Sequence, residues 1–151
     1  MIPALVQILK SDLGWRAKNG AAIAARELHA SEAVPHLVHL IEDPAMRAKR
    51  GTFVYALQTL DWYSRHSYVI ARLLTDDNYE VRAMAFQALR DAAGKMTSDQ
   101  KAGMVAALLL RLAAVSQSKK LPAGIEQTIR SAIPLLVKKT ALHAARPALV
   151  A

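Results

Sequence analysis

The sequence predicts an all-α chain built from stacked two-helix units, and three observations carry that prediction. Four of the six prolines fall in one frame, P-x-L-V, at Pro3-Ala-Leu-Val6, Pro35-His-Leu-Val38, Pro134-Leu-Leu-Val137 and Pro147-Ala-Leu-Val150. Apolar and small residues recur at three- and four-residue spacing, and no stretch alternates as a strand would. A step of 32 residues aligns three successive segments: Lys18, Arg50 and Arg82; Ala24, Ala56 and Ala88; Ala25, Leu57 and Leu89. A rival step of 31 aligns Arg16-Ala-Lys18 with Arg47-Ala-Lys49 but does not reach the third segment. Repetition at this period marks a repeat architecture, in which each unit covers its apolar face only by stacking on the next.

Each unit reads as a short apolar helix, an acidic turn and a longer helix with small residues. The first helices are expected over Pro3 to Lys10, Ala33 to Glu42 and Tyr68 to Thr75. In the third unit Val81, Ala85, Ala88, Leu89 and Ala92 form one stripe at helical period. Asp43-Pro44 reads as an N-cap with proline at the first helical position, where its missing N–H costs nothing. Asp77-x-x-Glu80 and Thr97-x-x-Gln100 have the spacing of capping boxes. Beyond Gly94 the pattern loosens into a long helix from about Ser98 to Ser116, a loop from Gln117 to Pro122, and a helix from Ile125 that meets Pro134. Proline must kink or end that helix, so Pro134 is read as a kink or as a fresh first helix. The whole is one domain, with units of about 1–30, 31–62, 63–94 and an irregular 95–151.

Residues Ala71 to Ala93 resemble a HEAT repeat. A Leu-Leu pair closes the first helix, an acidic turn follows, and then comes V-R-x-x-A-x-x-A-L as Val81-Arg82-x-x-Ala85-x-x-Ala88-Leu89. The acid six places before the base, a mark of that family, is present as Asp76 and Arg82, Asp12 and Lys18, and Asp43 and Lys49. The likeness covers residues 1–93 well and the rest loosely. It implies a right-handed α-α superhelix, a HEAT- or armadillo-like solenoid, of about four hairpins and roughly eight helices. The 32-residue step is shorter than the ~40 to 47 usual for HEAT and armadillo units.

Composition narrows the function classes. Cysteine is absent, which removes disulfides, thiolate metal sites and cysteine nucleophiles, and fits a cytoplasmic setting. No apolar run approaches the ~18 to 20 residues that span a bilayer, so no membrane role is expected. No G-x-S-x-G, H-E-x-x-H or phosphate loop occurs, and neither an enzyme activity nor a cofactor is expected. His36 and His39 stand at i and i+3 with Glu42 and Asp43 nearby, a spacing open to two metal ligands. Their helix must bury Leu37, Val38, Leu40 and Ile41, so they are read as its outer face rather than as a metal site.

Function is therefore expected on the exposed column of the longer helices, as a non-enzymatic scaffold for a protein or peptide partner. Positions in phase give Trp15, Arg47 and Tyr79 at the helix starts, Ile23, Tyr55 and Gln87 further along, and Arg26, Gln58 and Arg90 beyond them. Aromatic, arginine and amide side chains of this kind are enriched in interface hot spots. Arg50 and Arg82 are read as structural, bonding to turn acids and helix ends of neighbouring units, with Asp76 and Asp77 as candidates. The alternative is nucleic-acid binding. Residues 94–151 hold nine Lys/Arg against two Asp/Glu, and Lys119, Lys120, Lys138 and Lys139 are the candidate anion contacts. The chain opens in repeat phase with an apolar face ahead of it, which predicts end-to-end self-association or a neighbouring segment on that face. The second PALV lies 144 residues after the first, four and a half periods, and so out of phase.

Overall fold

The computed structural model describes residues 1–117 and 121–137. Within them lie eight α-helices and two short 3-10 segments, with no strand: α1 Ile2–Lys10, α2 Trp15–Glu27, α3 Val34–Glu42, α4 Gly51–Leu57, α5 Ser67–Leu74, α6 Tyr79–Ala93, α7 Ser98–Ser116 and α8 Ala123–Leu136. Lys119, Lys120, Lys138, Lys139 and the second PALV fall outside the described residues.

Helix ends follow local chemistry. Pro3 and Pro35 sit in the first turns of α1 and α3, where a missing N–H is tolerated. At α7 the Thr97 hydroxyl accepts from Gln100 N at 3.1 Å while Gln100 Oε1 accepts from Thr97 N at 2.9 Å, a complete capping box. At α6 the cap is Asn78, not Asp77: its Oδ1 accepts from Glu80 N at 2.9 Å and Val81 N at 3.3 Å. Asp77 lies one residue too early for its side chain to reach those amides, which is why the Asp77-Glu80 spacing misleads. Asp43 does cap, accepting from Ala45 N at 2.9 Å, but it opens a 3-10 segment over Pro44–Lys49 rather than an α-helix. The second helix of this unit is therefore divided, and its α-helical part spans only 7 residues.

Helix α2 ends in a Schellman turn. Ala30 N donates to Ala25 O at 2.9 Å and His29 N to Arg26 O at 3.1 Å, satisfying carbonyls that the helix end would otherwise leave bare. The turn puts His29 at φ 50°, the left-handed region normally given to glycine. Pro134 lies inside α8, which runs only two residues past it to Leu136. No fresh helix begins there. The ring opposes the Arg130 carbonyl and removes one intrahelical bond in the turn before it, and the helix ends where Val137 takes extended backbone.

The helices pack in two rows. Each odd-numbered helix contacts the even-numbered helix after it, as α1 with α2, α3 with α4, α5 with α6 and α7 with α8. Along the second row α2 contacts α4, α4 contacts α6 and α6 contacts α8; along the first, α1 contacts α3 and α5 contacts α7. The Arg72–Glu42 ion pair, 3.2 Å, joins α5 to α3. Burial repeats with the 32-residue step. Ala25, Leu57 and Leu89 are all fully buried, as are Leu9, Ile41 and Leu73 nearly so. Ala21, Ala22, Ala25, Ala56, Ala85 and Ala88 of the second row are buried, and Leu37, Phe53, Ile70 and Leu74 are buried in the same apolar cluster. One continuous apolar cluster runs from Leu9 to Leu136. Trp62 lies wholly inside it, in the irregular stretch between α4 and α5.

Replacing His29 with glycine relieves the left-handed strain at an exposed site. His29→Gly is expected to stabilise the chain by ~0.5 to 1 kcal/mol, read as an upward shift of the urea midpoint, and His29→Val to destabilise it.

Candidate functional site

The residues expected to form the column differ in exposure and in their contacts. Trp15, Tyr55 and Tyr79 are exposed, at 38%, 41% and 74%, and Arg47 and Arg90 are exposed beside them. Neither Arg47 nor Arg90 forms a hydrogen bond or ion pair with a described residue. Gln58 is a correction: it is 8% exposed and its Nε2 donates to Met84 O of α6 at 3.3 Å, so it ties α4 to its neighbour and faces no solvent. Gln87 is half-buried and donates to Asp91 Oδ1 at 2.7 Å, along its own helix.

Cations cover the aromatic rings. The Arg26 guanidinium lies 4.1 Å from the centre of the Tyr55 ring, and its Nη1 also donates to Tyr55 O at 2.8 Å. Lys49 Nζ lies 4.4 Å from the Trp15 ring centre, with Arg16 at 5.4 Å, and Arg82 lies 5.9 Å from Tyr79. The Arg26 and Lys49 contacts run in opposite directions between units: Arg26 of α2 reaches forward to α4, and Lys49, just before α4, reaches back to α2. Such contacts contribute ~0.5 to 1 kcal/mol each at exposed sites. Their larger effect is to hold amphipathic rings and long cations in fixed positions, lowering the entropy a partner must remove.

At the Asp76–Asp77 turn Arg50 meets a turn acid as expected, whereas Arg82 bonds the backbone of its own turn rather than an acid of a neighbouring unit. Arg50 Nη2 meets Asp76 Oδ2 at 2.6 Å, both side chains 12% exposed. Arg82 Nη1 donates to the backbone carbonyls of Asp76 at 2.6 Å and Asp77 at 3.0 Å, not to a carboxylate. Its Nη2 lies over Gly124, where an added Cβ would sit 2.7 Å away and push the end of the arginine side chain aside. Arg111 of α7 donates through Nε to Thr75 Oγ1 at 2.8 Å. Arg72 and Arg111 were not anticipated. Arg111 and its partner are 36 residues apart, off the 32-residue step, so no periodic signal pairs them.

His36 is half-buried and His39 exposed on α3. Burial, then Lys10, then His39 hold His36 below its ordinary value, favouring a neutral ring. Burial, then Asp61, push the Tyr63 phenol up. Among the described residues no group of three or more His, Cys, Asp or Glu is placed to hold a metal ion, and no helix is long and apolar enough to cross a membrane. A hollow of about 430 Å³ between Tyr63, Tyr68, Gln100 and Ala107 contains Ser64, but that hydroxyl is bonded to Asp61 at 2.7 Å rather than to a histidine. No family model matches the chain, and no curated protein is a significant match to it.

Removing one partner of the Arg50–Asp76 pair leaves a largely buried charge uncompensated. Arg50→Ala is expected to destabilise by about 2 to 3 kcal/mol in denaturant titration. The doubly apolar Arg50→Met/Asp76→Leu variant is expected to recover part of that loss.

Proposed function

We propose that this chain is a short-period, HEAT-like α-solenoid that acts as a non-enzymatic scaffold, binding a protein or peptide partner along the exposed face of its second helices. The observation that carries the reading is the set of exposed aromatics met by cations, Trp15, Tyr55 and Tyr79, together with the exposed Arg47 and Arg90, which pair with no described residue. Aromatic and arginine side chains held rigid at a surface are what interface hot spots are made of. The surrounding cations Arg16, Arg26, Lys49 and Arg90 suit a partner segment rich in Asp and Glu. The residues proposed to touch it are Trp15, Arg26, Arg47, Tyr55, Tyr79, Gln87 and Arg90; Gln58 is left out because it is buried.

The competing nucleic-acid reading rests on the basic excess of residues 94–151, of which five of nine cations lie outside the described residues. Affinity capture from the native cell, with and without nuclease, separates the two. A partner retained through nuclease and lost with Tyr55→Ala/Arg90→Ala, by about 30-fold or more in affinity, is the expected result. Unchanged retention of every recovered partner would refute the column. Loss of all capture on nuclease treatment, with a steep salt dependence, would put nucleic acid in its place.

We further propose end-to-end self-association. The terminal helix pairs expose Leu13, Ile23 and Leu28 at one end and Leu109, Leu110 and Ile133 at the other, more apolar side chains than a solvated surface needs. Sedimentation should show mass rising with concentration, and Leu109→Lys/Leu110→Lys should hold the chain monomeric. A wild-type monomer at millimolar concentration would end the idea.

A further inference from the structure

Beside the turn at Asp76 lies a notch of about 250 Å³, and four arginines line it: Arg47, Arg50, Arg72 and Arg111. They come from four different elements, the 3-10 segment, its junction with α4, and helices α5 and α7. Asp76 and Asp77 stand on its rim and Glu42 is bonded to Arg72, so four arginines against three carboxylates leave a net charge of +1, with Arg47 and Arg111 bonded to no carboxylate among the described residues. The cations are also rich in unused donors. A guanidinium offers five N–H groups. Here Arg50 engages Asp76 through Nη2, Arg72 engages Glu42 through Nη1, Arg111 engages Thr75 through Nε, and Arg47 engages nothing among the described residues. The Nε of Arg50 is buried without a partner. Like charges brought together inside a half-enclosed pocket repel one another, and the arrangement is most stable when an anion sits between them.

We propose that this notch is an anion site for a phosphate monoester. The chemistry selects that class. A monoester dianion carries close to −2 at neutral pH with three strong acceptor oxygens, matching several guanidinium forks at once. A simple carboxylate offers two oxygens and a single charge. A nucleic-acid strand presents one charge per phosphate along a continuous track, and Asp76, Asp77 and Glu42 interrupt any such track beside the notch. The site shares Arg47 with the proposed partner surface, so Arg111→Gln, which lies outside that surface, and binding of small ligands keep its failure distinguishable from failure of the scaffold reading. The same group could arrive as free phosphate or on a phosphorylated side chain of a partner, and the arms of the experiment distinguish these sources.

The test is calorimetry and thermal melting of the full chain with inorganic phosphate, a short phosphoserine peptide, its unphosphorylated form and an oligothymidylate. Phosphate and phosphopeptide are expected to bind and to raise the melting temperature by mass action, with the unmodified peptide inert. Tighter binding of the phosphopeptide than of free phosphate identifies the partner-borne source; equal binding identifies the free ion. Affinity should fall several-fold as pH drops below about 6, where the monoester loses its second charge while the arginines keep theirs. Arg47→Gln, which breaks no bond to a described residue, is expected to weaken binding about tenfold without lowering stability. Arg111→Gln should weaken it similarly, with folding checked by circular dichroism. The proposal is overturned if neither phosphate nor phosphopeptide binds at 10 mM, a concentration set about tenfold above a ~1 mM dissociation constant. It is equally overturned if Arg47→Gln binds as the parent does, or if the oligothymidylate binds while the phosphopeptide does not.

Discussion

Asp76 is the residue on which the centre of the molecule hangs. One carboxylate oxygen takes the Arg50 guanidinium of the preceding unit, the other accepts from Asn78 N at 2.8 Å, and the backbone carbonyl accepts from Arg82. A single turn residue thus fixes the unit before it, shapes the turn that positions the α6 cap, and anchors the arginine that reaches toward α8. Next to it, Thr75 receives Arg111 from α7. Helix pairs packed only through apolar faces could slide along one another, because hydrophobic contact has no direction. Directed bonds at the turns set the register that the core by itself leaves free.

That register has consequences on the outer face. Once α2 and α4 are fixed, Arg26 falls over Tyr55 and Lys49 over Trp15, so these two rings are held from the adjoining segment, whereas Tyr79 is met by Arg82 of its own helix. The divided second helix of the middle unit belongs to the same geometry. Its 3-10 segment carries Arg47, Lys49 and, at its end, Arg50, spreading three cations between the ring column and the turn notch. An unbroken α-helix would place them at a different rise and angle. The surface proposed to hold an acidic segment and the notch proposed to hold a phosphate are neighbours for that reason.

Opposite chemistry governs the inside. The second-row helices bury many alanines beside Phe53, Leu57 and Leu89, so small and large side chains share one apolar cluster with Leu, Ile and Trp from the rest of the chain. Trp62 shows the cost of leaving regular structure: it is fully buried in an irregular stretch and its indole N–H has no partner. Volume filled in the core offsets a donor left unsatisfied.

Much of this was legible in the chain alone. The helical period, the 32-residue step, the Thr97–Gln100 box, the α7 limits and the contact of Arg82 with the Asp76–Asp77 turn six residues before it all follow from local propensity and from repetition, which report which residues share a position; Arg50 meets Asp76 across 26 residues, a distance no period sets. Where the sequence misled, the deciding contact lay outside its window. Asn78 rather than Asp77 caps α6 because a one-residue shift in turn geometry decides which oxygen reaches the amides. Gln58 is inward because α6 offers it the Met84 carbonyl, a neighbour fixed only by packing. Arg72 and Arg111 join the notch through pairs 30 and 36 residues long, off the repeat, so no spacing announces them. Sequence by itself determined which segments are helices and which faces are apolar, because those depend on neighbours a few residues away. Only the tertiary structure decided which polar side chains meet, because that depends on the angle and distance at which whole units stack.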